Sequence, residues 1–164
     1  MNRQEIAHVE LTLTQQAKEY LNDVVSKIVS EIEYYYSPVV PRIKGNVTDN
    51  AHLTFFYGLK PEAIENADLN KLLSSVQIKE LKLKELSLLN GFESLYKILI
   101  VTVDDSDKTL STVVNKIRKF SDRPNSYEFK PHITLAYVSS DYELPSELPI
   151  LRDTVATEEF KTLV

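Results

Sequence analysis

Two short stretches, His52-Leu53-Thr54-Phe55 and His132-Ile133-Thr134-Leu135, hold two of the chain's three histidines, each two residues ahead of a threonine. Both are rich in strand formers, and side chains along a strand alternate between faces. The spacing predicts that His52 and Thr54 share one face, with Leu53, Phe55 and Tyr57 on the other. It predicts the same for His132 and Thr134 against Ile133, Leu135 and Tyr137. An imidazole exchanges protons near neutral pH, so two of them can take one proton and give another in a single turnover. Threonine hydroxyls on the same face can donate hydrogen bonds to oxygens that gain negative charge. One His-x-Thr is a common tripeptide and reads as an ordinary polar strand face. Two copies, each heading a strand, point to a shared site.

The elements that must position these residues follow from periodicity. Residues 5–13 alternate, with Ala7, Val9, Leu11 and Leu13 on an apolar face and Ile6, His8, Glu10 and Thr12 on the other. His8 lies on the polar face, where it either borders a site or meets solvent. Thr14 is placed to cap a helix over 15–33, whose apolar side is Ala17, Tyr20, Leu21, Val24, Val25, Ile28, Val29 and Ile32. Residues 34–50 are a loop carrying Tyr34, Tyr35, Tyr36, Arg42, Lys44 and Gly45. They form either a base-stacking, phosphate-contacting flap or a helix end that packs its tyrosines before a solvated loop. A short helix from Pro61 to about Leu73 and a bulged strand, or two strands, over 76–89 come next. Asn90-Gly91 signals a hairpin turn. A strand over 95–103, an amphipathic helix over 107–120 and a polar loop over 121–131 lead to His132, and the tail from Arg152 either adds a strand or frays. Strand, helix and loop thus precede each histidine motif, an internal duplication of architecture. The expectation is an α+β fold: one domain, residues 1–164, of two pseudo-symmetric strand-helix-strand lobes. They would form a concave, mostly antiparallel sheet with helices on its outer face.

Composition narrows the function classes. A length of 164 residues suits one domain with a real core, and the formal net charge of −5 argues against general binding of long nucleic acid. No cysteine is present, which removes disulfides, thiolate nucleophiles and cysteine zinc sites. Three glycines leave no glycine-rich phosphate loop. With no signal peptide and no long apolar run, the expectation is a soluble cytoplasmic protein without membrane contact, and a monomer. Two histidines without a carboxylate trio make a poor metal site, with Asp49 reading as a turn residue, and no nucleophile elbow is recognisable.

The paired motifs, Ala51-His52-Leu53-Thr54-Phe55 and Pro131-His132-Ile133-Thr134-Leu135, resemble those of the 2H phosphoesterase superfamily. That group includes the 2′-5′ RNA ligase-like proteins and 2′,3′-cyclic phosphodiesterases. The motif separation, length and duplicated order are similar too, so the resemblance covers nearly the whole chain. Tyr57-Gly58-Leu59 and Phe129-Lys130-Pro131 resemble small bacterial and phage members, some of which cleave cyclic oligonucleotide signals used in antiphage defence. The resemblance implies a metal-independent phosphodiesterase without cofactor, with His52, Thr54, His132 and Thr134 lining the phosphate site. Its ligand would be a small nucleotide or oligonucleotide with a cyclic, 2′-5′ or 3′-5′ phosphodiester. One imidazole would act as base and the other as acid, with their assignment open.

Candidate ligand contacts around the cleft are Lys130, Arg42, Lys44, Tyr36 and Arg123, with Lys130 favoured for phosphate. Tyr57 and Tyr137 fall on the core parity and are expected to pack. A binding module of the same fold with little turnover is the alternative, although a pure binder has no need of two proton-transfer groups. RNA ligation would want a larger basic surface than this composition offers.

Overall fold

The structure, a computed structural model, describes residues 6–121 and 128–164. The elements run β1 (Ala7–Leu13), α1 (Gln15–Ile28), β2 (His52–Leu59), α2 (Ala67–Ser75), β3 (Glu80–Asn90), β4 (Tyr96–Val103), α3 (Thr109–Arg118), β5 (His132–Ser139) and β6 (Thr154–Leu163). The strands pair antiparallel in the ring order β1-β2-β5-β4-β3-β6, so the fold is α+β with an antiparallel sheet. The tail is the strand β6, and its pairing with β3 through Leu81 and Val155 closes the ring. Two three-stranded halves result: β6-β1-β2 and β3-β4-β5. They join at the histidine motifs, where β2 and β5 share the single pair Leu53–Ile133.

The core lies between the outer face of the sheet and the helices. Leu11, Leu13, Leu53, Phe55, Leu99, Ile133 and Leu135 pack there with Leu21 and Val25 of α1 and Ile117 of α3. The helices brace across the halves: α1 touches β5 and β6, while α3 touches β2. Thr14 caps α1 as its side chain implies, accepting from Ala17 N at 3.2 Å.

Two local expectations are corrected. The helix expected over 15–33 stops at Ile28, although the apolar spacing continues. Val29 is extended but still buried, and Ser30 with Glu33 forms a capping box that starts a separate 3-10 turn. Ile32, on the expected apolar stripe, is therefore exposed. The expected helix from Pro61 splits into a 3-10 turn at Pro61–Glu65 and α2, which Asn66 caps. The hairpin that Asn90-Gly91 signals does form: β3 and β4 pair antiparallel down to Asn90–Lys97, and the loop between them holds a 3-10 turn at Phe92–Ser94. Gly91 is required there by close approach, because a Cβ would lie 2.2 Å from the Tyr96 ring.

Candidate active site

His52 and Thr54 lie on the inner face of β2, and His132 and Thr134 on the inner face of β5, while Leu53 and Ile133 are fully buried in the core. The Leu53–Ile133 pair fixes how the motifs meet. Antiparallel register carries one residue either way, so His52 stands across from Thr134 and Thr54 across from His132. Directly opposed side chains on one face lie about 5 Å apart at Cβ. The four residues therefore form a crossed quartet at the seam between the halves.

Each ring is held from behind by its own chain. His52 Nδ1 is 2.7 Å from the Asn50 carbonyl, and His132 Nδ1 is 2.9 Å from the Lys130 carbonyl. A carbonyl only accepts, so Nδ1 carries the proton and Nε2 is presented to the inner face. The Asn50 carbonyl is itself positioned by a 3-10 turn at Thr48–Asn50. Buried Thr48 donates to Asn46 Oδ1 at 2.6 Å, and Asn46 Nδ2 donates to Asn22 of α1 at 2.6 Å. Ahead of His132, the Pro131 carbonyl accepts from Val103 N at 3.0 Å.

The cross-strand neighbours repeat from one half to the other. On β1 and β2, Thr12 pairs with His52, Glu10 with Thr54 and His8 with Tyr57. On β4 and β5, Thr102 pairs with His132, Ile100 with Thr134 and Ile98 with Tyr137. A bulge follows the threonine in both motifs: Phe55 is skipped in the β1–β2 register and Leu135 in the β4–β5 register. These bulges overturn the packing expected of Tyr57 and Tyr137. Each adds one residue and moves its tyrosine onto the face of the histidine. Tyr57 is 49% exposed, with its ring 6.0 Å from His8. Tyr137 is half-buried and meets Tyr96 edge-on at 5.7 Å, while Tyr35 stacks on Tyr96 at 4.9 Å. Burial raises the Tyr137 phenol above its ordinary value, and the neighbouring Arg42 charge partly offsets this.

The loop over 34–47 lies along the edge of β5 where β2 has turned away. Tyr35 N donates to the Tyr137 carbonyl at 2.9 Å, Tyr137 N to the Gly45 carbonyl at 2.8 Å and Val47 N to the Leu135 carbonyl at 2.9 Å. Tyr36 and Lys44 face one another in an isolated bridge and are both exposed. Of the loop's candidate cations, Arg42 lies near enough to Tyr137 for its charge to act on that phenol. Lys130 is exposed, and its carbonyl serves the site by holding His132. Arg123 lies outside the described residues.

Glu10 was not singled out by the sequence, because a carboxylate on an alternating strand reads as solvated. It is only 4% exposed. Its Oε2 lies 3.1 Å from His52 Nε2 and 3.3 Å from His8 Nε2. The signal available was parity: Glu10 shares the polar face of β1 with His8. Among the described residues no group of three or more His, Asp or Glu is arranged to hold a metal ion, and no helix is long and apolar enough to cross a membrane.

The six-stranded ring, the outer helices and the paired motifs on the inner face make up the LigT-like 2H phosphoesterase fold, as the motifs implied. Among solved structures, Escherichia coli LigT complexed with phosphate matches with a TM-score of 0.62 at 17% identity, covering 95% of this chain and 84% of that one. A structure described as a phosphoesterase matches with a TM-score of 0.63 at 18% identity, covering 96% and 86%. TT0787 of Thermus thermophilus matches with a TM-score of 0.57 at 16% identity, covering 96% and 87%. No protein-family model matches the sequence, and no curated protein matches it significantly. The likeness is therefore one of fold.

Proposed function

We propose that the protein is a metal-independent phosphodiesterase acting on a small nucleotide or oligonucleotide that carries a cyclic, 2′-5′ or 3′-5′ phosphodiester. The observation that carries this reading is the crossed quartet of two histidines and two threonines at the Leu53–Ile133 seam. A phosphate seated there meets an imidazole from each side. One imidazole takes a proton from the attacking water or hydroxyl as its oxygen bonds to phosphorus. The other gives a proton to the leaving oxygen as its bond to phosphorus breaks. Thr54 and Thr134 donate hydrogen bonds to the non-bridging oxygens and hold the charge that builds there.

E. coli LigT has been crystallised with 3′-AMP, NADP+ and ATP, which supports a ligand of nucleotide size for this chain. In this reading Tyr57, Tyr137 and the loop residues Tyr36, Arg42 and Lys44 would contact base and phosphate, with Lys130, two residues before His132, a further candidate cation. The same reading takes the chain as one cytoplasmic domain of two pseudo-symmetric lobes, active as a monomer. Cyclic oligonucleotide immune signals are the substrates of greatest interest.

The test is turnover by the purified protein in EDTA of 2′,3′-cyclic and 3′,5′-cyclic nucleotides, a 2′-5′ dinucleotide and cyclic di- and trinucleotides. The expected result is product from one class, abolished in His52→Ala and in His132→Ala. No product from any class, with a ligand still raising the melting temperature, would replace the enzyme with a nucleotide-binding module.

A further inference from the structure

The two halves place their strands in the same register, so each residue beside one histidine has a counterpart beside the other. One position breaks the equivalence chemically. Opposite Thr54 stands Glu10, and opposite Thr134 stands Ile100, which is 3% exposed. His52 thus has a carboxylate 3.1 Å from Nε2. Among the described residues, His132 has none within ion-pairing distance.

We propose that Glu10 is a positioning residue that makes the two histidines unequal, holding His52 as the general acid and leaving His132 as the general base. The proposal rests on the phosphodiesterase reading above. Its ground is a donor count. His52 Nδ1 faces the Asn50 carbonyl and Nε2 faces the Glu10 carboxylate, and neither oxygen donates while Glu10 is ionised. Beside an ionised Glu10 both ring nitrogens of His52 face acceptors, the arrangement of a proton-giving imidazole. A buried carboxylate also needs a cation beside it, because an unpaired one is costly to desolvate. His132 Nδ1 donates to the Lys130 carbonyl, and in place of a carboxylate its half offers the apolar Ile100. Its Nε2 keeps a lone pair.

In the reaction, His132 Nε2 takes the proton of the attacking hydroxyl as the new oxygen–phosphorus bond forms. The bond to the leaving oxygen breaks, and the Nε2 proton of His52 moves onto that oxygen. Glu10 stays paired while His52 turns its proton to the substrate, because the same Oε2 also contacts His8 Nε2. The titratable and charged groups on the face around Glu10 are His8 on β1, His52 and Tyr57 on β2, and Lys161 on β6, which is in register with Glu10 and pairs with Glu159.

The test compares two diesters of one nucleotide, one with a ribose leaving group and one with p-nitrophenolate, which departs without a proton. On the ribose ester, Glu10→Gln loses about tenfold or more in kcat, a part of the roughly 10²–10⁴ carried by a general acid. On the p-nitrophenyl ester the losses of Glu10→Gln and His52→Ala both shrink, and that of His132→Ala does not. Equal losses on both esters would reduce Glu10 to a structural role. A faster Glu10→Gln enzyme would make Glu10 a competitor of the phosphate for Nε2, and shrinkage at His132→Ala would reverse the assignment. Each of these overturns the proposal.

Nitrogen-15 NMR of the wild-type histidines decides the matter independently of folding in any variant. Near neutral pH, His52 should show protons on both nitrogens and His132 on one; matching states would refute the assignment. If the wild type cleaves neither ester, it is the phosphodiesterase reading that fails, and the NMR result still stands for Glu10.

Discussion

The β1–β2 and β4–β5 hairpin-like pairs share geometry and differ in chemistry. Both set a threonine opposite the histidine, both skip one residue after the second threonine, and both turn a tyrosine inward as a result. Yet one lines its inner face with His8 and Glu10 where the other has Ile98 and Ile100. The same backbone register can thus be held in both halves while the residues on the inner face differ. Two equivalent imidazoles would serve a reaction poorly, since one proton must be removed and another supplied.

The comparison breaks most visibly at the histidines. His52→Ala and His132→Ala should each lower kcat on an unactivated diester by about 10²–10⁴-fold, the range for one proton-transfer group. Steady-state turnover checks this, and an enzyme that tolerates either loss would not use the paired site. The core side of the seam should behave symmetrically. Leu53 and Ile133 are both fully buried and oppose one another, so Leu53→Ala and Ile133→Ala should each cost about 2–5 kcal/mol in urea unfolding. Markedly unequal values would mean that the halves do not bear on the seam alike.

Smaller effects follow at the threonines. Removing one hydrogen bond to a charged oxygen forfeits about 1.5–3 kcal/mol, so Thr54→Val and Thr134→Val should each slow turnover by about 10–100-fold with little change in melting temperature. Unequal losses would sharpen the picture of two unlike halves.

The smallest effect lies at an unsymmetrical tie. The Tyr142 hydroxyl donates to the Ile28 carbonyl at 2.8 Å, linking the chain after β5 to the end of α1. Tyr142→Phe should cost about 1 kcal/mol at neutral pH. Burial, with the charges of Glu33 and Tyr34 adding to it, pushes this phenol up to about 12 from 10.0. A raised value means that the folded chain binds the proton more tightly than the unfolded chain. The stabilisation is therefore complete below pH 10 and lost as pH climbs from 10 to about 12. Thermal melts across that window should fall less steeply for Tyr142→Phe than for the wild type.

Much of this fold was legible because it rests on period. Alternation placed His52 with Thr54 and His132 with Thr134, and the three-to-four spacing found α1 and α3. Period fails where a residue is inserted. Nothing in Phe55 or Leu135 marks a bulge, so the parity rule sent Tyr57 and Tyr137 to the wrong face. Only Gly58 hinted at irregularity, and its φ of +118° is one that other residues rarely adopt. Glu10 was hidden for a different reason: its partners lie on another strand, or two residues away on its own, and only register brings them together. The hold of the loop over 34–47 on β5 was likewise long-range, with no local pattern to announce it.

That loop has a consequence beyond the site. Opening a cleft by parting β2 from β5 would strip β5 of hydrogen-bonding partners and leave a raw strand edge. Such an edge is a template on which a second copy of the chain can add its own strand. Tyr35, Gly45 and Val47 take up those backbone groups instead. The edge of β5 is covered along this stretch, so the chain should stay dispersed at concentrations where an uncovered edge would drive it into fibrils.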